Sequence, residues 1–96
     1  MKGLPVEVEK EVGGLIAQLQ SAGWTVSAHR YDTKSFGNWY VDLYRGNQRI
    51  RLVKDRSQYS IDGSHVDSIK AAGLSKAFDD LNEFRQSVSK FATSSN

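Results

Sequence analysis

"WYVDLYRGNQRIRLVKDR", residues 39–56, alternates apolar and polar side chains on both sides of Gly46 and Asn47. Such a pair between two alternating runs is typical of a two-residue β-hairpin turn. The turn sets the register, and a shift of one residue would mix apolar and polar side chains on each face. The predicted pairs are Arg45 with Gln48, Tyr44 with Arg49, Leu43 with Ile50, Asp42 with Arg51 and Val41 with Leu52. The stretch therefore predicts a hairpin with one apolar face.

Two further strands are predicted on either side of this hairpin. "WTVSAHRY", residues 24–31, alternates without interruption and precedes it. Residues 58–62 follow a turn around residues 55–56, which places Asp62 opposite Arg49. The four strands in chain order predict an antiparallel meander.

Helical periodicity occupies both ends of the chain. Pro5 and the acids after it favour a helix start, and Gly23 favours its end. Ser64 predicts the cap of a short helix over about 65–72, and Ser75 the cap of a last helix. The apolar positions of the first helix are Val8, Val12, Leu15, Ile16 and Leu19, and those of the last are Leu74, Ala77, Phe78, Leu81, Phe84, Val88 and Phe91. The predicted fold is α+β, a four-stranded antiparallel meander with helices packed on one face in the order α-β-β-β-β-α-α.

Length and composition narrow the class of protein. The chain has 96 residues, so we expect one compact domain over residues 1–92 and a frayed tail over 93–96. It has no cysteine, which excludes disulfides, thiolate metal sites and cysteine nucleophiles and suits a cytoplasmic protein. No apolar run predicts a signal peptide or a membrane span. No glycine-rich phosphate loop or metal-ligand spacing is present, so we predict no cofactor and no metal.

Positive charge is concentrated in the middle of the chain. Residues 24–56 carry seven Lys or Arg against three Asp, a net charge of +4. This segment would also supply most of the sheet face that the helices leave uncovered. The side chains predicted on that face are Thr25, Ser27, His29, Tyr31, Tyr40, Asp42, Tyr44, Arg49, Arg51, Val53, Gln58, Ser60 and Asp62. Trp24 and Trp39 are predicted on the opposite, apolar face.

Tyrosine and arginine on the uncovered face indicate recognition of a partner, because both are enriched at interface hot spots. The predicted binding residues are His29, Tyr31, Tyr40, Tyr44, Arg49 and Arg51, with Lys54 and Arg56 at the rim. An ordinary solvated face explains the same residues, since Asp42 and Asp62 would pair with the two arginines of the hairpin.

The function expected first is that of a small non-enzymatic module that binds a protein partner, as an inhibitor, immunity protein or adaptor does. Whether the module is a monomer or a homodimer stays open. The alternative is binding of RNA or single-stranded nucleic acid by the same face. Ribonuclease activity centred on His29, beside Tyr40 and Asp42, is a third hypothesis, although no motif spacing marks a catalytic residue.

Two partial resemblances bear on the nucleic-acid alternative. The helix–meander–helix order is similar to the double-stranded RNA-binding fold, which implies a basic start to the last helix. Here "LSKAFDDLNEF", residues 74–84, has Lys76 followed by three acids. "LIAQLQSAGWTV", residues 15–26, resembles the start of the HicA toxin family of mRNA interferases. That family implies Gly-Ser-His at the second strand, where this chain has "FGNW", residues 36–39.

Overall fold

A computed structural model describes residues 4–32, 37–63 and 66–93. The elements are α1 (Val6–Ser21), β1 (Thr25–Asp32), β2 (Asn38–Arg45), β3 (Gln48–Asp55), β4 (Gln58–Gly63), α2 (Val66–Ala71) and α3 (Leu81–Thr93). The predicted α+β class and the order α-β-β-β-β-α-α are thereby confirmed. The predicted cap at Ser64 and most of the loop between β1 and β2 lie outside the described residues.

The sheet is an antiparallel meander in the order β1-β2-β3-β4. Every pair predicted for the central hairpin is present, from Arg45 opposite Gln48 to Val41 opposite Leu52. Gly46 has a φ of 59° at the first turn position, which glycine adopts without the steric cost that a Cβ brings. The turn residues and the alternation thus specify the same register.

The β3–β4 hairpin differs from the prediction by two residues. Its turn is formed by Arg56 and Ser57, which have φ values of 53° and 68°, and Asp62 consequently lies opposite Arg51 instead of Arg49. Positive φ at both central positions is the geometry of a type I′ turn, which usually uses Asn or Gly. Neither Arg nor Ser is typical of such a turn, so the sequence pattern predicted the turn at the wrong residues. Because the shift is of two residues, each side chain nevertheless stays on its predicted face.

A β-bulge in β1 overturns the predicted alternation of that strand. The register of β1 against β2 shifts between Val26 and Ala28, so one extra residue, Ser27, is accommodated there. Beyond the bulge, His29 lies opposite Val41 and not on the face of Tyr40. The same shift moves Tyr31 opposite Trp39. The prediction that His29 and Tyr31 belong to the uncovered face is therefore wrong.

The core lies between the helices and the other face of the sheet. Trp24 and Trp39 are both 3% exposed, as predicted for the apolar face. The buried apolar residues are Val8, Val12, Leu15, Ile16, Leu19, Trp24, Trp39, Val41, Leu43, Ile50, Leu52, Tyr59, Ile61, Ile69, Leu74, Phe78, Phe84, Val88 and Ala92. No charged residue is buried among those that the structure describes. Within the same residues, no helix has the length and apolarity that crossing a membrane requires.

The last helix begins later than predicted. Asp80, and not Ser75, caps α3, because its Oδ2 accepts a hydrogen bond of 3.1 Å from the backbone N–H of Glu83. The preceding segment forms a β-bridge in which Tyr59 and Phe78 exchange backbone hydrogen bonds of 2.8 and 2.7 Å. The outer edge of β4 is thus partly paired within the chain itself.

A candidate interaction site on the open face of the sheet

No helix among the described residues covers one face of the sheet, and we call this face the open face. Its members follow from the strand registers: Thr25, Ala28, Arg30, Asp32, Asn38, Tyr40, Asp42, Tyr44, Arg49, Arg51, Val53, Asp55, Gln58, Ser60 and Asp62. None of these residues is buried, and Tyr44 is 39% exposed. An antiparallel sheet can leave one face to solvent because alternate side chains serve the core.

Tyr40, Arg51 and Asp42 form a fixed group at the centre of the open face. The guanidinium of Arg51 donates two hydrogen bonds to the Asp42 carboxylate, from Nε at 2.6 Å and from Nη2 at 3.0 Å. Its central carbon lies 4.1 Å from the centroid of the Tyr40 ring. The hydrogen bonds to Asp42 raise the pKa of Arg51 above its ordinary value. A bidentate pair that is also stacked on a ring restricts the rotamers of a long side chain.

Two depressions flank this group and share Arg51 as a common wall. One, of about 330 Å³, lies beside Arg49 and Asp62. The other, of about 230 Å³, lies beside Arg30, Tyr40 and Val53 and has mostly apolar walls. The open face therefore has an ordered centre with a depression on each side. Side chains of a partner could insert into such depressions as anchors of an interface.

The open face is balanced in charge. It carries three arginines, Arg30, Arg49 and Arg51, against four aspartates, Asp32, Asp42, Asp55 and Asp62. The net positive charge of the central segment is consequently not displayed as a basic surface, because aspartates on the same face offset its arginines.

Four of the eight predicted binding residues lie together on the open face: Tyr40, Tyr44, Arg49 and Arg51. Lys54 points to the helix side, where its Nζ lies 3.1 Å from Glu11 in α1. Arg56 lies in the β3–β4 turn, and its backbone N–H donates to Asn38 Oδ1 at 3.0 Å. The placement of Lys54 at the rim of the open face was wrong.

His29 is separated from the residues that would assist it in catalysis. It lies on the helix side of β1, whereas Tyr40, Asp42 and Arg51 lie on the open face. The structure thus does not bring together the acid–base set on which the ribonuclease hypothesis depends. Within the described ranges, no group of three or more His, Asp or Glu residues is arranged to hold a metal ion.

Arg30 is an open-face residue that the sequence reasoning missed. It lies opposite Tyr40, where a register without the bulge would have placed His29. Its side chain is exposed and forms no hydrogen bond or ion pair with another described residue. Nothing in the local sequence signals the bulge that turns Arg30 outward, because Ser27 is compatible with a regular strand.

A second polar cluster, also missed, surrounds the carboxylate of Glu11 between α1 and the sheet. Glu11 accepts hydrogen bonds from Trp39 Nε1 at 3.0 Å, from Lys54 Nζ at 3.1 Å and from the Tyr59 hydroxyl at 2.5 Å. Burial alone would raise the pKa of Glu11, but these hydrogen bonds together outweigh it and lower that pKa. Burial, followed by the hydrogen bond to Glu11, raises the pKa of Tyr59.

The Glu11 cluster joins helix to sheet. Its members already satisfy one another, and no buried side-chain nitrogen or oxygen among the described residues lacks a hydrogen-bond partner. A satisfied network that links elements distant in sequence orients those elements against each other. The cluster is therefore a structural feature, and the open face remains the candidate interaction site.

Comparison with known proteins finds no matching family model, no matching curated protein and no matching solved structure. The function of this chain is accordingly inferred from its own geometry.

Proposed function

We propose that this protein is a non-enzymatic module that binds a protein partner through the open face. The observation that carries the proposal is the group of Tyr40, Arg51 and Asp42, in which the exposed arginine is both paired with a half-buried carboxylate and stacked on a half-buried ring. Tyrosine and arginine, together with tryptophan, are enriched at interface hot spots. A side chain that is already ordered loses less conformational entropy when a partner covers it. An inhibitor, immunity or adaptor protein would work in this way.

The charge of the open face supports a protein partner over a nucleic acid. Binding to a phosphate backbone depends on lysines and arginines that are free to displace counterions. Here aspartates on the same face slightly outnumber the arginines, and Arg51 is held by Asp42 at 2.6 Å. Lys54, which would have supplied the rim, pairs with Glu11 instead. A protein surface with charges of both signs suits this face better than a polyanion does.

We place this binding in the cytoplasm, since a chain without cysteine suits a reducing compartment. A second copy of the chain is an alternative occupant of the open face, because a charge-balanced face can complement itself across a two-fold axis. Sedimentation of the purified protein at several concentrations separates the two occupants: a monomer at all concentrations leaves the face available to a different protein.

The central experiment compares a substitution on the open face with a matched substitution elsewhere. Wild-type protein and the variants Arg51→Glu and Lys90→Glu are immobilised. Each is then incubated with a nuclease-treated extract of the cells in which the protein naturally occurs. Both substitutions reverse one positive charge, but Lys90 lies on the exposed side of α3. We expect a partner that is retained by wild type and Lys90→Glu and lost by Arg51→Glu. Equal retention by all three would contradict the proposal.

Two additional measurements support this experiment: a second open-face variant and a test of nucleic-acid binding. Tyr44→Ala should also weaken retention, and this exposed side chain forms no hydrogen bond with another described residue, so its loss leaves the fold intact. Titration with single-stranded and double-stranded RNA at low and high salt tests the alternative. Salt-sensitive amide shifts at Arg49 and Arg51 would favour nucleic-acid binding over the proposal.

A further inference from the structure

We infer that the partner anchors itself with a carboxylate on Arg30 and an adjoining apolar group in the cavity beside Tyr40 and Val53. This inference rests on the proposed function and specifies the chemistry that the partner presents. The residues that carry it come from three strands: Arg30 from β1, Tyr40 from β2 and Val53 from β3.

Arg30 differs from Arg51 because no carboxylate among the described residues forms a hydrogen bond or ion pair with its side chain. Arg51 is engaged by Asp42 through two hydrogen bonds, and Arg49 also interacts with other groups. The Arg30 side chain is exposed and has no hydrogen bond or ion pair with any other residue in the described ranges. Its planar fork of donors matches a carboxylate, which can accept two parallel hydrogen bonds.

The cavity next to Arg30 has the size of a side chain. Its volume is about 230 Å³, whereas pockets for drug-sized ligands and cofactors span about 300–1,000 Å³. Tyr40 and Val53 face each other across the strand pair and contribute apolar wall. An aromatic or branched aliphatic group fits a cavity of this size and polarity.

Asp32 also lines this depression and restricts the charge that it can accept. It lies two positions beyond Arg30 on the same face of β1, opposite Asn38 on the neighbouring strand. A group that bears two or more negative charges, such as a chain of phosphates, would meet the Asp32 carboxylate as well as Arg30. A single carboxylate attached to an apolar group can place its charge at Arg30 and its apolar part against Tyr40.

The experiment uses two probes of nearly the same shape, of which one carries a negative charge and the other is neutral. The ¹⁵N-labelled full chain is titrated with phenylacetate and, separately, with phenylacetamide, while amide and Arg Nε signals are followed by NMR. We expect phenylacetate to shift the signals of Arg30, Tyr40 and Val53 and phenylacetamide to leave them nearly unchanged. Absence of shifts with phenylacetate, or equal shifts with both probes, overturns the inference.

Two variants localise the binding. Arg30→Gln should weaken phenylacetate binding at least about tenfold, because it removes a charge-assisted bidentate contact. Lys90→Gln, which also removes one positive charge but lies on the exposed side of α3, should leave the affinity unchanged. An equal loss in both variants would indicate a general charge effect and would overturn the assignment to Arg30. Titration with uridine 5′-monophosphate tests whether the depression prefers a phosphate. Tighter binding of this dianion than of phenylacetate would also overturn the inference of a carboxylate anchor.

The inference and the proposed function can fail separately. If a partner is retained by Arg30→Gln but lost by Arg51→Glu, the open face binds a protein without the carboxylate anchor. If no partner depends on Arg51 while phenylacetate still binds at Arg30, the anchor site exists and the protein-binding proposal fails.

Discussion

Lys54 Nζ lies 3.1 Å from both carboxylate oxygens of Glu11, so an ion pair joins α1 to β3 across 43 positions of sequence. The two side chains are only 19% and 21% exposed. A carboxylate with so little water around it requires partners, and Trp39 and Tyr59 provide the remaining hydrogen bonds. The orientation of α1 on the sheet is therefore coupled to the ionisation of Glu11.

The stability of the protein should depend on pH through Glu11. Since its pKa is lowered from the ordinary value of 4.5, the ionised carboxylate stabilises the folded state above that value, and this contribution is lost as the pH falls through the folded-state pKa. We expect Glu11→Gln to lose about 1–3 kcal/mol at pH 7 because Lys54 is left without its carboxylate. The variant should then lose less than wild type between pH 7 and pH 3.

Urea denaturation of both proteins at the two pH values measures this difference. Comparison of the variants cancels the other carboxylates, which titrate in both. Parallel loss of stability in wild type and Glu11→Gln would show that the cluster does not depend on the charge of Glu11.

The carbonyl oxygen of Ala92 near the end of α3 is shared by two donors. Trp24 Nε1 lies 2.8 Å from it and Arg45 Nη1 lies 3.2 Å from it, while the Arg45 guanidinium carbon is 4.8 Å from the Trp24 ring centroid. Trp24→Phe and Arg45→Met should each cost about 1 kcal/mol of unfolding free energy. Because the two side chains touch, a double-mutant cycle by chemical denaturation should show a coupling of at least about 0.5 kcal/mol. Strict additivity would mean that the two contacts act independently.

Substitutions in the turn between β3 and β4 should increase the stability of the protein. Arg56 and Ser57 hold φ values of 53° and 68°, a conformation that costs L-residues about 1 kcal/mol or more and that Asn-Gly adopts readily. The double substitution Arg56→Asn with Ser57→Gly should raise the melting temperature. Gly46→Ala at the other turn is the opposite control and should lower it, since φ there is 59°. Thermal unfolding followed by circular dichroism compares the three proteins.

The same substitution at two adjacent residues of β2 should have very different effects on stability. Leu43 is 1% exposed and Tyr44 is 39% exposed. Leu43→Lys would bury a charge among core residues and should unfold the domain, because that cost is comparable with the whole stability of a small protein. Tyr44→Lys should lower the unfolding free energy by no more than about 1 kcal/mol, because the new charge stays in solvent although Arg49 lies opposite it. Similar denaturation midpoints for the two variants would contradict the assignment of faces.

The bulge at Ser27 should be visible in nuclear Overhauser contacts. Side chains of directly opposite residues in an antiparallel pair lie about 5 Å apart at Cβ, so we expect contacts between His29 and the Val41 methyl groups. Contacts between His29 and the Tyr40 ring would instead indicate a regular strand without a bulge.

Several elements were predictable because their signals are local. The central hairpin carries its turn residues, its alternation and its length within residues 39–56, and all three agree on one register. The apolar positions of α1 recur with the helical period, and all five that were predicted are buried. Tyr40, Tyr44, Arg49 and Arg51 were placed on the correct face for the same reason.

Other features were decided by the tertiary structure. The β3–β4 turn is set by pairing of β3 with β4, which holds Arg56 and Ser57 in positive φ despite their own preference. The bulge at Ser27 is visible only in the pairing of β1 with β2, and it determines whether Arg30 or His29 belongs to the open face.

The sequence by itself thus determined the order of elements, the hairpin register and most of the open face, because turn chemistry and periodicity act over a few neighbouring residues. Only the tertiary structure decided the roles of Glu11, Lys54 and Arg30. Glu11 and Lys54 are 43 positions apart, and no local pattern encodes such a pair. The ion pair forms because packing of α1 on the sheet removes most of the water around both side chains. Each charge then needs a partner of opposite sign, and the other side chain provides it.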